Sequence, residues 1–186
     1  MEYNEQNLIT IAKRDHNKKR TFLLVNPLQG KHLPVSPSAA DELFQTLGAK
    51  VFAGASASEN TIIMGFAGTA TAIGAALAGC APFATRYIHT TREPIPNRQY
   101  LFFSESHSHA TEQKLIKDFL DQELTADTHI IFAEDEVTTG NPIQNILSLI
   151  QNTYPHVRLS FSISSLLNGM PAERVAQLKE AVVDCH

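Results

Sequence analysis

Short apolar runs alternate along this chain with segments whose apolar residues recur every three or four positions. Thr21–Val25 reads as a strand stopped by Asn26-Pro27. Ser36 or Ser38 caps a predicted helix reaching Leu47, with Gly48 as its stop. Thr61–Phe66 reads as a strand, and Thr69–Ala78 as an Ala-rich helix closed by Gly79. Arg86–Thr91 and Gln99–Phe103 read as strands around Glu93-Pro94-Ile95-Pro96-Asn97. Residues 110–124 place Leu115, Ile116, Phe119 and Leu120 on one helical face. His129–Ala133 and Val157–Ile163 read as strands, Pro142–Gln151 as a helix with Pro in its first turn, and Pro171–Val183 as a last helix. Strand–helix alternation predicts an α/β fold with a mostly parallel twisted sheet flanked by helices. The chain reads as one domain, 1–186, with an N-terminal helix and basic stretch over 1–20 and a C-terminal segment over 164–186.

Composition narrows the classes. The chain has 186 residues, 43% of them apolar and 18% charged, which excludes a mainly disordered chain. A net charge of −4 gives no general attraction to nucleic acid or to an anionic membrane. The apolar stretch 62–84 is interrupted by four glycines and is a poor membrane span. The start, MEYNEQNLIT, is polar and does not read as a signal peptide, so the cytoplasm is the expected location. Cys80 and Cys185 have no metal-ligand spacing.

In open parallel sheets ligands bind beyond the carboxyl ends of the strands. There, the segment His129–Pro142 carries two adjacent carboxylates, Glu134 and Asp135, then a Thr-Thr-Gly-Asn turn, then a helix. Backbone N–H groups at such a helix start favour phosphate. Thr138 and Thr139 add hydroxyl donors, and Gly140 allows close backbone approach. Two carboxylates would repel free phosphate. They suit a sugar whose hydroxyls they accept, hence a ribose 5-phosphate. The plainer alternative is a capped helix after a strand with solvated acids.

These residues resemble the type I phosphoribosyltransferases, whose signature is an apolar strand, two acids and a T-T-G-x-T-like loop. The resemblance implies that Glu134 and Asp135 hold the ribose hydroxyls and that Val137, Thr138, Thr139, Gly140 and Asn141 wrap the 5-phosphate. Pro142 stands where the signature has Thr, which removes a hydroxyl and an N–H. Four further segments, A-K-R-D-H-N-K-K-R-T-F-L-L-V-N, L-Q-G-K-H-L-P-V-S-P, G-F-A-G-T-A-T-A-I-G and T-T-R-E-P…E-S-H-S-H-A-T, resemble a subgroup from bacterial tellurite-resistance and stress-response operons. That subgroup resemblance sets acids where this chain has Gly68 and Asn168. The implied activity is transfer of phosphoribose from phosphoribosyl diphosphate to or from a base-like acceptor, with Mg2+ carried by the diphosphate and few or no protein ligands. The alternative is a catalytically weak phosphoribosyl-nucleotide sensor on the same fold.

The remaining polar loops carry two readings each. Gly30-Lys31-His32 follows the first strand, and the resemblance makes it the pyrophosphate loop; a surface turn is the alternative. G-F-A-G-T-A-T suits either an anion or close helix–strand packing. Arg92 ends a strand, where a guanidinium neutralises a leaving diphosphate or simply meets solvent. The loop with Pro94 and Pro96 resembles the mobile cover of such sites. Glu105, His107 and His109 alternate, so they share a face if extended. A polar loop touching diphosphate or acceptor fits them better than zinc, for which a third strong ligand is missing; a helix-start cap by Ser108 or His109 is the third reading. The basic window Lys13–Arg20 has few aromatics beside it, which disfavours RNA and leaves a solvated, phosphate-facing or dimer-forming role. A homodimer therefore stays open.

Overall fold

A computed structural model of the chain describes residues 3–13, 22–31, 33–53, 60–103, 113–180 and 183–186. In chain order the elements are α1 (Glu5–Leu8), β1 (Thr10–Lys13), β2 (Phe22–Val25), α2 (Pro37–Val51), β3 (Thr61–Gly65), α3 (Ala70–Cys80), β4 (Thr85–His89), β5 (Tyr100–Phe103), β6 (Gln113–Ile116), α4 (Lys117–Glu123), β7 (Asp127–Val137), α5 (Asn141–Thr153), β8 (Arg158–Asn168), α6 (Ala172–Glu180) and β9 (Val183–Cys185). The backbone divides into two compact units, Met1–Thr46 and Leu47–His186.

In the first unit β1 and β2 pair antiparallel, from Thr10 opposite Val25 to Lys13 opposite Phe22. The N-terminal segment is thus a single helical turn followed by a strand, where the sequence suggests a helix. Ser36 caps α2: its Oγ accepts from the Ala39 N–H at 3.2 Å, and Pro37 takes the first helical position, where a missing N–H costs nothing.

The second unit is built on a five-stranded sheet ordered β4-β3-β7-β8-β9, parallel throughout. This is the expected α/β architecture, and its order places β3, β7 and β8 inside the sheet. Their apolar residues explain that position, because a strand covered on both faces needs a near-continuous apolar run. On one face Ile62, Met64, Ile130, Phe132, Phe161 and Ile163 meet Ile143, Ile146, Leu147 and Ile150 of α5. Leu101, Phe103 and Leu115 of the β5–β6 hairpin and Leu120 of α4 complete that core. Each such side chain contributes roughly 1.5–3 kcal/mol on burial. Against the other face lies α3, with Ile73 and Leu77 buried.

Glycines set how closely α3 approaches. A Cβ on Gly74 would come 2.7 Å from Tyr87 Cε2 and 3.3 Å from Gly65 Cα. Tyr87 is held by its hydroxyl, which donates to the Thr71 carbonyl at 2.7 Å. Gly48 does not stop α2, which continues to Val51. Its missing side chain instead admits Cys80 Sγ from α3. Gly79 likewise lies inside α3, and extended Ala81 ends that helix.

Other elements also differ from the sequence reading. Residues 113–116 are a strand, not the start of a helix; Gln113 and Leu115 are buried in alternation, and Leu115 pairs with Leu101. The last helix stops at Glu180, and Val183–Cys185 adds an edge strand against Phe161–Ile163. Strands β7 and β8 each run eleven residues, well past the predicted ends at Ala133 and Ile163. Near the start of β7, His129 joins the two: Nδ1 lies 2.7 Å from Ser160 Oγ and Nε2 2.9 Å from Ser162 Oγ.

Two measurements test this packing. Gly74→Ala gains about 1 kcal/mol of helix propensity but meets a ring anchored through its hydroxyl, an overpacking cost of about 1–3 kcal/mol. We expect a net loss and a thermal midpoint lower by about 2–4 °C per kcal/mol; a raised midpoint would show that Tyr87 gives way freely. Burial holds the His129 imidazole below its ordinary range, with Asp184 opposing and His186 adding to that shift. The unfolded chain therefore takes up this proton first as pH falls. Stability from neutral His129 is full above about pH 6.5 and is lost as pH falls towards the folded value. Denaturant titrations at pH 7.5 and 5.5 should show a smaller drop for His129→Gln than for the unsubstituted chain.

Candidate functional site

The carboxyl ends of β4, β3, β7 and β8 lie side by side, and backbone bonds tie them together. Phe66 N–H donates to the Ala133 carbonyl at 3.2 Å, and Thr90 N–H to that of Gly65 at 2.9 Å. Thr90 Oγ1 accepts from the Ala67 N–H at 2.7 Å and donates to Gln113 Oε1. The Phe66–Thr69 loop is thereby fixed to β4 and β6. Gly68 within it has φ +108, a conformation suited to glycine, and Arg92 Nη1 lies 3.9 Å from where its Cβ would be. Lys114 Nζ donates to the Arg92 carbonyl at 2.9 Å. Of the G-F-A-G-T-A-T glycines, Gly65 serves packing against α3, whereas Gly68 opens towards Arg92. The following loop closes on itself through the Tyr100 hydroxyl, which bonds the N–H and the carbonyl of Ile95.

Glu134 and Asp135 sit on β7 itself, not beyond its end. The ladder to β8 sets Glu134 opposite Ser165 and Val137 opposite Asn168. Neighbouring residues of a paired strand point to opposite faces. Glu134 therefore shares the face of Phe132, and Asp135 that of Ala133. Asp135 is buried and Glu134 half-buried, with its carboxylate accepting from the Asp135 N–H at 3.1 Å. Beside them, the Oγ atoms of Ser164 and Ser165 are buried without a hydrogen-bond partner. Residues Ser164–Asn168, which the sequence reading sets in the C-terminal segment after Val157–Ile163, belong to β8.

The turn from Val137 to α5 is held on both sides. The Gly169 N–H donates to the Val137 carbonyl at 2.8 Å. Thr138 is exposed, Thr139 half-buried and Gly140 buried. Thr139 Oγ1 accepts from the Asn141 N–H at 3.3 Å. Gly140 is left-handed, φ 69 and ψ 3, and caps α5. Its bare side faces the protein: a Cβ would meet Met170 Sδ at 2.7 Å and Leu178 Cδ1 at 3.2 Å. Gly140 is therefore required by backbone conformation and by packing against α6, beyond the close ligand approach inferred from sequence. Arg174, which no sequence motif marks, reaches this turn from α6. Its Nε donates to the Thr139 carbonyl at 3.3 Å, and Nη2 to Asn141 Oδ1 at 3.4 Å.

The structure thus gathers Glu134, Asp135, Val137, Thr138, Thr139, Gly140 and Asn141 at one sheet end, with Arg92 beside Gly68 two strands away. Lys31 is exposed in the first unit, after Gly30 at φ +77. His32, Glu105, His107, Ser108 and His109 lie outside the described residues, as does the basic window beyond Lys13. Among the described residues no three His, Cys, Asp or Glu side chains gather as a metal-ligand set. Nor, among them, is any helix long and apolar enough to cross a membrane.

A parallel sheet with an acidic strand running into a left-handed, helix-capping turn has the architecture in which ligands generally bind beyond the carboxyl ends of the strands. A sequence profile described as phosphoribosyl transferase matches residues 8–185, and the chain belongs to that family. It is a phosphoribosyltransferase. No curated protein matches it significantly. Among solved structures it is similar to adenine phosphoribosyltransferase from Leishmania tarentolae (12% identity, TM-score 0.64, 97% of this chain and 83% of that one). It is similar, too, to the Thermoanaerobacter pseudethanolicus enzyme (14%, 0.61, 97% and 95%). A third is the Saccharomyces cerevisiae enzyme complexed with an imino-altritol bisphosphate and adenine (9%, 0.60, 97% and 94%). At these identities the likeness is one of fold.

Gly140→Ala tests the turn. A left-handed alanine costs about 1–2 kcal/mol, and its Cβ would also push on Met170. We expect a clear fall in the thermal midpoint; no change would show that the turn can rearrange without cost.

Proposed function

We propose that this chain transfers phosphoribose from phosphoribosyl diphosphate to, or from, a base-like acceptor at the carboxyl edge of β7. The observation that carries this is the run from Glu134 to Asn141, in which carboxylates pass directly into a helix-capping turn. In the reaction the bond from ribose C1 to the diphosphate oxygen breaks, and a bond from C1 to an acceptor nitrogen forms. Diphosphate leaves with the bonding pair. The residues act by positioning and electrostatics. Glu134 and Asp135 accept from ribose hydroxyls and support positive charge at C1. Because the two carboxylates alternate across the strand, each takes a different edge of the sugar. Val137 to Asn141 hold the 5-phosphate. Arg92 answers the diphosphate or the acceptor, and for Lys31, His107 and His109 the same role rests on the family resemblance alone.

Magnesium fits these residues as a substrate-borne ion: oxygen atoms are the donors it prefers, Glu134 and Asp135 offer carboxylates, and among the described residues no set of three His, Cys, Asp or Glu gathers to hold a metal by itself. When bound, it would neutralise charge on the leaving diphosphate. The nucleobase in the yeast enzyme's complex supports a heterocyclic acceptor here. The four sequence segments quoted above support membership of the tellurite-resistance subgroup. We take the whole chain to act as one phosphoribosyltransferase domain in the cytoplasm.

The test combines binding and turnover. Glu134→Gln with Asp135→Asn removes charge but keeps shape. Calorimetry should show ribose 5-phosphate bound about tenfold or more weakly, since two charged hydrogen bonds are lost, each stronger than a neutral one by about 1 kcal/mol. Inorganic phosphate should bind as well or better, because repulsion is relieved. Equal responses of the two ligands would mean that the acids do not touch sugar. Diphosphate released from phosphoribosyl diphosphate, magnesium and a panel of bases separates an enzyme from a protein that binds without turnover.

A further inference from the structure

We infer that Arg174 is the positioning residue of the 5-phosphate turn, an inference that rests on the function proposed above. Three observations converge on it. First, its guanidinium bridges two acceptors of the turn, the Thr139 carbonyl and Asn141 Oδ1, at 3.3 and 3.4 Å. Those acceptors flank Gly140, so one planar fork spans the left-handed residue. Second, the same helix seats Leu178 against the bare side of Gly140, and Arg174 Nε lies 3.6 Å from where a Gly140 Cβ would be. Third, Arg174 is itself braced within α6: Nη1 donates to Gln177 Oε1 at 3.2 Å.

The consequence is electrostatic as well as geometric. The first turn of α5 has few N–H groups to offer an anion. The Asn141 N–H is taken by Thr139 Oγ1, and Pro142 has none. A guanidinium directly behind the turn restores positive potential where the helix start supplies little. Pulling on the Thr139 carbonyl also orients that peptide so that the next N–H, on Gly140, points away from Arg174. Arg174 thus acts on phosphate through the turn and touches no reacting atom. Phosphate held equally in ground and transition states affects KM more than kcat.

The experiment compares Arg174→Gln and Arg174→Lys with the unsubstituted chain. It reads ribose 5-phosphate affinity by calorimetry, KM and kcat for phosphoribosyl diphosphate, and amide hydrogen exchange at residues 138–141. Both contacts are longer than ideal, so Arg174→Gln should weaken binding about five- to tenfold, the low end for a charge-assisted pair. KM should rise by a similar factor with kcat little changed, and exchange in the turn should quicken. Lysine, which reaches one acceptor at a time, should recover the charge and only part of the affinity. Unchanged affinity and exchange in Arg174→Gln, while Thr139→Val still weakens binding, would overturn this inference and leave the proposed function standing. If Arg174→Gln unfolds, Arg174→Lys decides: full affinity with slow exchange would mean that fork geometry is immaterial. If the unsubstituted chain binds no ribose 5-phosphate, the functional reading falls and this inference with it.

Discussion

The eleven-residue parallel ladder between β7 and β8 is the constraint on which the rest of the molecule depends. It runs from Asp127 opposite Arg158 to Val137 opposite Asn168, so both strands reach the sheet's carboxyl edge together. The ladder centres the core: Phe132 and Phe161 stack across it with ring centroids 5.8 Å apart. It also carries acidic residues, poor strand formers by propensity, into regular β structure. Backbone hydrogen bonds to a partner of equal length outweigh that preference. The acids are thereby held with little freedom, which is what a site acting by position requires.

The edge is rigid for a second reason. Each loop leaving it is tied to the next strand. Phe66 bonds Ala133, Ala67 bonds Thr90, and Gly169 bonds Val137. Gly68 and Gly140, both at positive φ, turn the chain sharply where a side chain would strain it. The glycines at Gly65 and Gly74 do different work, bringing α3 close to β3. One residue type thus supports both the loops and the layer behind them.

Much of the fold was legible from the sequence. The apolar runs at Thr61–Gly65 and in the centre of β7 and β8 can only be buried strands of an alternating α/β chain. The Thr-Thr-Gly-Asn turn also stood out, because its residue types are those of an anion-holding helix start. The ends of strands were not legible, since they depend on a partner far along the chain. Glu134–Val137 becomes strand only because Ser165–Asn168 lies beside it. Leu115, Ile116, Phe119 and Leu120 satisfy a helical period, and only the pairing of Leu101 with Leu115 divides them between strand and helix. Strands β1 and β9, four and three residues long, carry too little pattern to be seen. Arg174 was invisible for a like reason: on an exposed helix an arginine is ordinary, and only the folded chain brings it against Thr139.

The structure adds to the reading of Pro142 the state of the N–H beside it. At the start of a helix a proline leaves stability intact while taking away one donor that an anion would use. The Thr139 hydroxyl holds the N–H before it, so the turn is closed by its own residues. Such a turn is well ordered before any ligand arrives, which lowers the entropy lost on binding. It also offers fewer donors than an open helix start. On the proposed function, order gained and donors lost pull phosphate affinity in opposite directions, and the role inferred for Arg174, set behind the turn by α6, is to tip that balance towards binding. On the proposed function, the phosphate end of this site is therefore a property of two helices rather than of one loop, and α6 belongs to the site although it contributes nothing to its sequence signature.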